Sequence, residues 1–223
     1  MKNDNEMEYV YCSGPLFCPE EIGGMTAIAD VLEDAGYGTF LPHRDGLEPY
    51  VMRVVNTPLN VDILKSRDMI NKAIFSLDVY QLVERCDYFV FNMNGRVPDE
   101  GGVSETAMAY AAGKPIVIYK NDARTTFKGG DNSMVSCLAS GARVSDIKKI
   151  PTRLGKVAER FKKLGDSPYR DDNIPPLMKD TLKLGKKVWK IMNAVLPEKS
   201  KEKAAPELID KIIEICKNQS LSF

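Results

Sequence analysis

The sequence is poor in histidine and has no surplus of charge of either sign. His43 is the only histidine in 223 residues, and a lone imidazole without a visible partner does not predict a metal site. Thirty-one basic residues balance thirty-one acidic ones, so no global electrostatic field favours a polyanionic partner. Local patches of charge are compatible with this balance. We therefore expect neither nucleic acid nor a membrane as a partner.

Long apolar runs and paired cysteines are also missing. No window approaches the ~20 apolar residues of a membrane span, and residues 1–8 are polar and acidic, unlike a signal peptide. The cysteines are odd in number and lack the spacing of a zinc site or a disulfide scaffold: Cys12, Cys18, Cys86, Cys137 and Cys216. The simplest interpretation is a soluble cytoplasmic protein with reduced thiols.

The sequence does contain a regular alternation of strand-like and helix-like segments. Short β-branched and aromatic runs predict strands, and apolar residues at helical spacing between them predict helices. The predicted strands cover residues 9–12, 37–41, 88–92 and 115–119, and the predicted helices cover 19–35, 67–85, 103–112 and 151–164. This order favours an α/β protein with a doubly wound parallel sheet and helices on both faces.

Three polar segments interrupt or follow this pattern. Residues 42–60 and 121–133 are predicted to be long loops, which in a compact domain are more often functional than idle. Residues 166–176 have the composition of a linker, and two more helices are predicted after it, over 177–195 and 206–217. We predict a catalytic domain over residues 1–165 and a helical extension over 166–223. The lysines of the first added helix are expected to form a solvated face: Lys183, Lys186, Lys187 and Lys190.

Three acidic side chains, Asp87, Asp99 and Glu105, lie along the third predicted strand and the glycine-rich loop and helix after it. Ligands of parallel α/β sheets bind outside the carboxyl ends of the strands, where such a loop meets a helix. Gly101 and Gly102 let the backbone turn tightly and let a ligand approach closely. Glu105 is expected in about the first helical turn, where the helix dipole favours an ionised carboxylate that can act as a nucleophile.

The same three residues also have a purely structural explanation. An aspartate before a helix often serves as its N-cap, and a glutamate near the third helical position often pairs with backbone donors. Asp87 can simply mark the beginning of a strand. Spacing alone names no reaction and leaves the structural and functional explanations about equally weighted.

Several short motifs, taken together, resemble the nucleoside 2-deoxyribosyltransferase family. The resemblance spans roughly residues 9–135 and is carried by Val10-Tyr11-Cys12-Ser13-Gly14-Pro15-Leu16-Phe17, Cys86-Asp87, Asn94-Gly95, Asp99-Glu100-Gly101-Gly102-Val103-Ser104-Glu105, Ala109-Tyr110-Ala111 and Gly113-Lys114-Pro115. It implies a flavodoxin-like fold. It also implies cleavage of the N-glycosidic bond of a 2'-deoxynucleoside, with the sugar passed to another purine or pyrimidine base.

The resemblance assigns catalytic roles by motif position. Glu105 is implied to be the nucleophile that attacks C1', and Tyr11 to orient its carboxylate. Asp99 and Asp87 are implied to contact the base and to manage its proton. Neither a metal nor another cofactor is expected, because two carboxyl groups suffice for this chemistry.

Further residues are expected to contact the substrate. Gly14 and Phe17 follow the first predicted strand, and Phe17 is placed to stack on a base. Gly101 and Gly102 are expected to line the same site. The resemblance also implies an asparagine from a neighbouring subunit, for which Asn132 is the closest match, and hence a homo-oligomer with shared active sites.

Two alternatives remain open at this point. One is a hydrolase that uses the same glutamate and passes the sugar to water, in some relatives from a deoxynucleoside 5'-monophosphate. Its phosphate subsite would need extra donors, and Ser13 with Gly14 is the only obvious cradle. The other is a non-catalytic nucleotide-binding sensor module, because a fold alone does not imply a function.

Overall fold

The chain forms two compact units. The computed structural model describes residues 7–55, 66–124, 130–164, 174–196 and 201–217. The first unit comprises Met1–Leu41 and Leu82–Asn173, and the second comprises Pro42–Gln81 and Ile174–Phe223. These units do not coincide with the predicted domains, 1–165 and 166–223, because residues 42–81 group with the carboxyl-terminal helices. Most of the predicted linker lies outside the described residues.

The first unit is built on a five-stranded parallel sheet. Its strands are β1 (Tyr9–Ser13), β2 (Gly38–Phe40), β3 (Tyr88–Asn92), β4 (Ile116–Tyr119) and β5 (Arg143–Val144). The spatial order is β2-β1-β3-β4-β5, and every neighbouring pair is parallel. This confirms the predicted α/β fold with a doubly wound sheet in the flavodoxin-like order. The strand β5 was not predicted, because a run of two residues shows no periodicity.

The central strands are buried on both faces, which explains their continuous apolar sequence. All five residues of β3 and all four of β4 are buried. In β1, Val10, Tyr11 and Cys12 have no exposed surface. Such runs are typical of parallel sheets, because helices cover both faces. The sheet thus forms a rigid base from which the loops at its carboxyl edge project.

The α-helices of the described residues are α1 (Pro19–Glu33), α2 (Pro42–Asp45), α3 (Glu48–Val55), α4 (Arg67–Tyr80), α5 (Glu100–Ala111), α6 (Ser133–Ser136), α7 (Ile150–Leu164), α8 (Pro176–Val195) and α9 (Lys201–Lys217). A π-helical turn, Gln81–Arg85, continues α4, and short 3₁₀ turns cover Cys137–Ala139 and Ile147–Lys149. The helix α5 begins at Glu100, three residues before the predicted start, because Asp99 caps it. It ends as predicted before Gly113, whose φ is 67°.

The second unit is helical and has its own hydrophobic core. The prediction of a loop over residues 42–60 is wrong for the described part, residues 42–55, which form α2 and α3. The buried residues Leu47, Tyr50 and Val54 recur at helical spacing there. They share a core with Leu184 and other residues of α4, α8 and α9.

The helix α8 is amphipathic in the way the sequence predicts. Its four lysines, Lys183, Lys186, Lys187 and Lys190, are all exposed. The opposite face is buried and includes Leu184, Val188 and Met192. None of the helices described combines the length and the hydrophobicity that crossing a bilayer requires.

Candidate active site

The carboxylate of Glu105 is held by two hydroxyl groups from β1. The Tyr11 hydroxyl donates to Glu105 Oε1 at 2.6 Å, and Ser13 Oγ donates to Oε2 at 2.5 Å. Both are short bonds, as expected for a charged acceptor. Each carboxylate oxygen is therefore fixed by a partner on a buried strand, which leaves the group little freedom to rotate.

The Tyr11 side chain is itself fixed by aromatic packing. It is fully buried, and its ring stacks on that of Phe89 with centroids 5.7 Å apart and planes 9° apart. The Phe40 ring lies on another side at 5.4 Å. These rings come from the strands β2 and β3 that flank β1, in register with Tyr11. The sheet thus determines where the tyrosine hydroxyl lies.

Burial raises the pKa of Glu105 above that of an ordinary glutamic acid. The hydrogen bonds from Ser13 and Tyr11 lower this pKa because they stabilise the carboxylate, and the nearby negative charge of Asp99 raises it. The effect of burial on the pKa of Glu105 is therefore larger than the expected stabilisation of its ionised form by the helix dipole. Glu105 is the sixth residue of α5, beyond the first turn in which the dipole acts most strongly.

Asp99 is the N-cap of α5 and also lies within electrostatic reach of Glu105. Its Oδ2 accepts a hydrogen bond from the backbone N–H of Gly102 at 2.6 Å. The structural explanation considered for Asp99 therefore holds, and its charge nonetheless acts on Glu105. The structure brings these two acidic side chains together.

The two glycines of the loop are not equivalent. A Cβ on Gly102 would lie 2.3 Å from Phe91 Cε2, so this glycine lets α5 pack against β3. The expectation that Gly102 makes room for a ligand is therefore corrected, because the aromatic ring occupies that space. Gly101 is exposed, and a Cβ there would meet only Asp99 Oδ2, at 3.2 Å.

The structure does not bring Asp87 to Glu105. Asp87 Oδ2 accepts from the backbone N–H of Tyr9 at 2.9 Å, and its own N–H donates to the Tyr9 carbonyl. These bonds lie at the amino ends of β1 and β3. Ser13 lies four residues farther along β1, which is about 13 Å at the usual rise of a strand. We therefore correct the expected base contact for Asp87, whose carboxylate joins the two strands.

The loop after β1 begins with a packing glycine and carries an exposed aromatic ring. A Cβ on Gly14 would lie 2.8 Å from both Asn92 Cβ and Met25 Sδ, so Gly14 permits a close approach to the end of β3. Phe17 is 86% exposed, with its backbone N–H bonded to Glu21. Its ring is thus free to contact a ligand at this edge of the sheet.

Asn132 lies on the surface and caps α6. Its Oδ1 accepts from the backbone N–H of Met134 at 2.9 Å. The preceding residue, Asp131, is anchored by Lys120 Nζ at 2.8 Å and by an Arg143 guanidinium nitrogen at 2.5 Å. Lys120 is 2% exposed, so this ion pair is buried at the end of β4. It fixes the chain directly before Asn132.

The loops after β3 and β4 are tied to one another. Asn94 Oδ1 accepts from the backbone N–H groups of Asn121 and Asp122, and Asp122 Oδ2 accepts from the N–H of Gly95 at 3.0 Å. Arg124 pairs with Asp122 and holds the pKa of that carboxyl well below its usual range. These bonds tie the two loops together at the carboxyl edge of the sheet.

Ser13 is the site residue whose role sequence reasoning missed. The sequence indicates Ser13 only as a phosphate donor, whereas its hydroxyl donates a hydrogen bond to Glu105. Its position as the last residue of β1 was the available signal, because the carboxyl ends of parallel strands face the ligand. Its partner is 92 residues away in sequence, and nothing local indicates that pairing.

One of the comparisons with known proteins identifies a family. A search of curated proteins finds no match. A solved structure described as a conserved protein from Enterococcus faecalis V583 is 19% identical, covering 70% of this chain and 99% of its own, with a TM-score of 0.45. The family model for nucleoside 2-deoxyribosyltransferase matches residues 10–163, more than half of the sequence. The chain therefore belongs to the nucleoside 2-deoxyribosyltransferase family.

Proposed function

We propose that this protein is a nucleoside 2-deoxyribosyltransferase. In this proposal it cleaves the N-glycosidic bond of a 2'-deoxynucleoside and transfers the sugar to another purine or pyrimidine base. The observation that carries it is the Glu105 carboxylate, held by Tyr11 and Ser13 beside Asp99 in a chain of this family. No cofactor is invoked, because the proposed steps need only carboxyl groups and hydroxyls.

In the first proposed step, a Glu105 oxygen attacks C1' and the bond from C1' to the base nitrogen breaks. The electron pair of that bond leaves with the base, which must gain a proton to depart as a neutral molecule. Tyr11 and Ser13 hold the carboxylate in one orientation, so little freedom is lost on reaching the transition state. The product is an ester between Glu105 and the deoxyribosyl group.

Asp99 is the proposed proton donor to the departing base. Its Oδ2 holds the Gly102 N–H, which leaves Oδ1 for the base. Its negative charge disfavours the ionised form of Glu105, so the two carboxyl groups are electrostatically coupled. Two carboxyl groups in different environments can thus divide the roles of nucleophile and acid.

In the second proposed step, a nitrogen of the incoming base attacks C1' and the ester bond breaks. The electron pair returns to Glu105, and the proton of the incoming base passes to Asp99. Two displacements at C1' retain its configuration, and release of the first base before the second binds gives ping-pong kinetics. The enzyme returns to its starting state.

A hydrolase with water as the acceptor remains the nearest alternative. A hydrolase that acts on a 5'-monophosphate is less well supported. The hydroxyl expected to bind the phosphate, that of Ser13, donates to Glu105 instead. The sensor module is disfavoured, because a carboxylate with a raised pKa held beside a second acid is an arrangement typical of catalysis.

We predict that Glu105→Gln lowers base exchange at least about 1,000-fold, because an amide is not a nucleophile. Exchange is measured by chromatography of a deoxynucleoside incubated with a second free base. Glu100→Gln is the matched control, because Glu100 is an exposed glutamate on the same helix, and it should keep activity within about threefold. Full exchange by the Glu105 variant would contradict the mechanism.

A second experiment separates transfer from hydrolysis. The wild-type protein is incubated with a deoxynucleoside, with and without an acceptor base. Transfer predicts a new nucleoside only when the acceptor is present. Equal release of free sugar in both reactions, without a new nucleoside, would establish the hydrolase instead.

A further inference from the structure

A small cavity of the first unit shares no residue with the Glu105 site. It has a volume of about 120 Å³ and lies between α7 and the turn that leads into β5. Its apolar lining includes Ala139, Ala142 and Phe161. Three cationic side chains, Arg153, Lys156 and Arg160, line it as well. The cavity is therefore a hydrophobic recess bordered by positive charge.

The three cations lie on one side of α7. They are spaced three and four residues apart, the spacing that places side chains on the same helical face. Within the described part of the chain, none of the three forms an ion pair. Their charges are therefore not neutralised by the acidic side chains that the structure describes.

Arg153 is held in place and retains an unused donor. One guanidinium nitrogen, Nη2, donates to the carbonyl of Gly141 at 2.8 Å. Its Nε is buried and has no hydrogen-bond partner among the described residues. Buried N–H groups are nearly always paired, so this nitrogen calls for an acceptor. A fixed guanidinium with a spare N–H is suited to an oxyanion.

The segment around the cavity has a net positive charge, whereas the formal net charge of the whole chain is zero. Residues 143–163 include eight Lys or Arg residues and two acidic ones, Asp146 and Glu159, whereas the full chain has equal numbers of each sign. Neither acidic residue lines the cavity. The local field thus attracts anions to this part of the surface.

We propose that this cavity binds a phosphate-type oxyanion. The Arg153 guanidinium, Lys156 and Arg160 supply the donors, and the small volume admits one tetrahedral anion but not a whole nucleotide. The source is either inorganic phosphate or the phosphate group of a nucleotide whose remainder lies outside the cavity. The site is separate from the proposed catalysis, so its failure would leave the function of Glu105 untouched.

The test is calorimetric titration of the full chain with inorganic phosphate, with chloride used to match the ionic strength. The cavity variant is Lys156→Gln with Arg160→Gln, and the control is Lys162→Gln with Lys163→Gln, which removes the same charge from the same helix outside the cavity lining. We expect one site in the wild type and the control. The cavity variant should bind at least about tenfold more weakly.

A second measurement does not depend on removing charge. In a nitrogen-15 NMR spectrum, the Nε–H resonance of Arg153, assigned with Arg153→Lys, should shift on addition of phosphate. An unshifted resonance, equal weakening in both double variants, or no binding by the wild type would overturn the proposal.

The source of the phosphate is resolved by adding a deoxynucleoside 5'-monophosphate to Glu105→Gln. If the nucleotide competes with inorganic phosphate at the cavity and binds more tightly, the ligand of the cavity is the nucleotide. If the nucleotide binds no more tightly than inorganic phosphate, the ligand of the cavity is the free anion.

Discussion

At the scale of single residues, the Glu105 carboxylate is subject to two opposing effects. Burial raises its pKa, whereas the Ser13 and Tyr11 hydroxyls lower it. A nucleophilic carboxylate must be ionised, so these hydroxyls both orient the group and keep it reactive. The proposed chemistry thus depends on a balance between desolvation and two hydrogen bonds.

We predict that Ser13→Ala moves the acidic limb of the kcat/KM profile to higher pH. Loss of the hydroxyl removes a bond that stabilises the carboxylate, so the pKa of Glu105 rises further. A hydrogen bond to a charged group contributes about 1.5–3 kcal/mol, so kcat/KM on the acidic side should fall about tenfold or more. Ser104→Ala is the control, because that exposed hydroxyl bonds only to the backbone of its own helix. An equal loss at every pH would indicate a merely structural role for Ser13.

We also predict that Glu105→Gln stabilises the fold at neutral pH. The folded-state pKa of Glu105 is raised, so between the unfolded-state value of about 4.3 and the folded-state value the folded protein binds more protons than the unfolded one. Stability is therefore lost as pH rises through the folded pKa, and glutamine removes this loss. Urea denaturation should show a more stable variant at pH 7, with the difference shrinking toward pH 4. A less stable variant at pH 7 would contradict the prediction.

At the scale of elements, the loop between β3 and α5 positions Glu105 by close packing. Gly102 lets the first turn of α5 rest on Phe91, and Asp99 caps that turn. The direction of α5 then determines which strand its residues face. Glu105 reaches β1 for this reason, although it follows β3 in the chain.

We predict that Gly102→Ala destabilises the protein by about 1–3 kcal/mol, because its Cβ would overlap the Phe91 ring. Gly101→Ala is the neighbouring control and should stay within about 1 kcal/mol, because it gains helix propensity at an exposed position. The free energy of unfolding in urea measures both. Equal effects of the two substitutions would show that the packing on Phe91 is not the reason for the glycine.

At the scale of the whole molecule, we propose that association of two or more copies completes the site. Asn132 is on the surface of its own chain, and the family resemblance implies that it reaches a neighbouring subunit. The buried pair of Lys120 and Asp131 fixes the backbone directly before it. A homo-oligomer with shared sites remains our proposal.

We predict that mixing two inactive variants restores activity. The variants are Glu105→Gln and Asn132→Ser, the second of which keeps an N-cap for α6 while removing the amide. Hybrid oligomers would contain some sites in which both residues are intact. Exchange is assayed after the mixture is dissociated and reassociated. Activity equal to the mean of the separate variants, or a monomer by light scattering, would exclude shared sites.

The sequence by itself predicted the first four strands of the first unit, together with the helices α1 and α5 that follow β1 and β3. Continuous apolar runs such as those of β3 and β4 have few alternatives to a buried parallel strand, and Gly113 ends α5 where expected. The acidic pair Asp99 and Glu105 was also visible, because both lie in one short segment. Local pattern suffices where the determining interactions are local.

Only the tertiary structure decided which of the candidate residues meet. Ser13 and Glu105 are 92 residues apart, and their contact exists because β1 and β3 are neighbours in the sheet. The same pairing takes Asp87 to the opposite end of the strands. The pKa of Glu105 is likewise set by burial among distant residues. Contacts between residues far apart in sequence, and the desolvation they cause, come from packing and are not encoded in any local pattern.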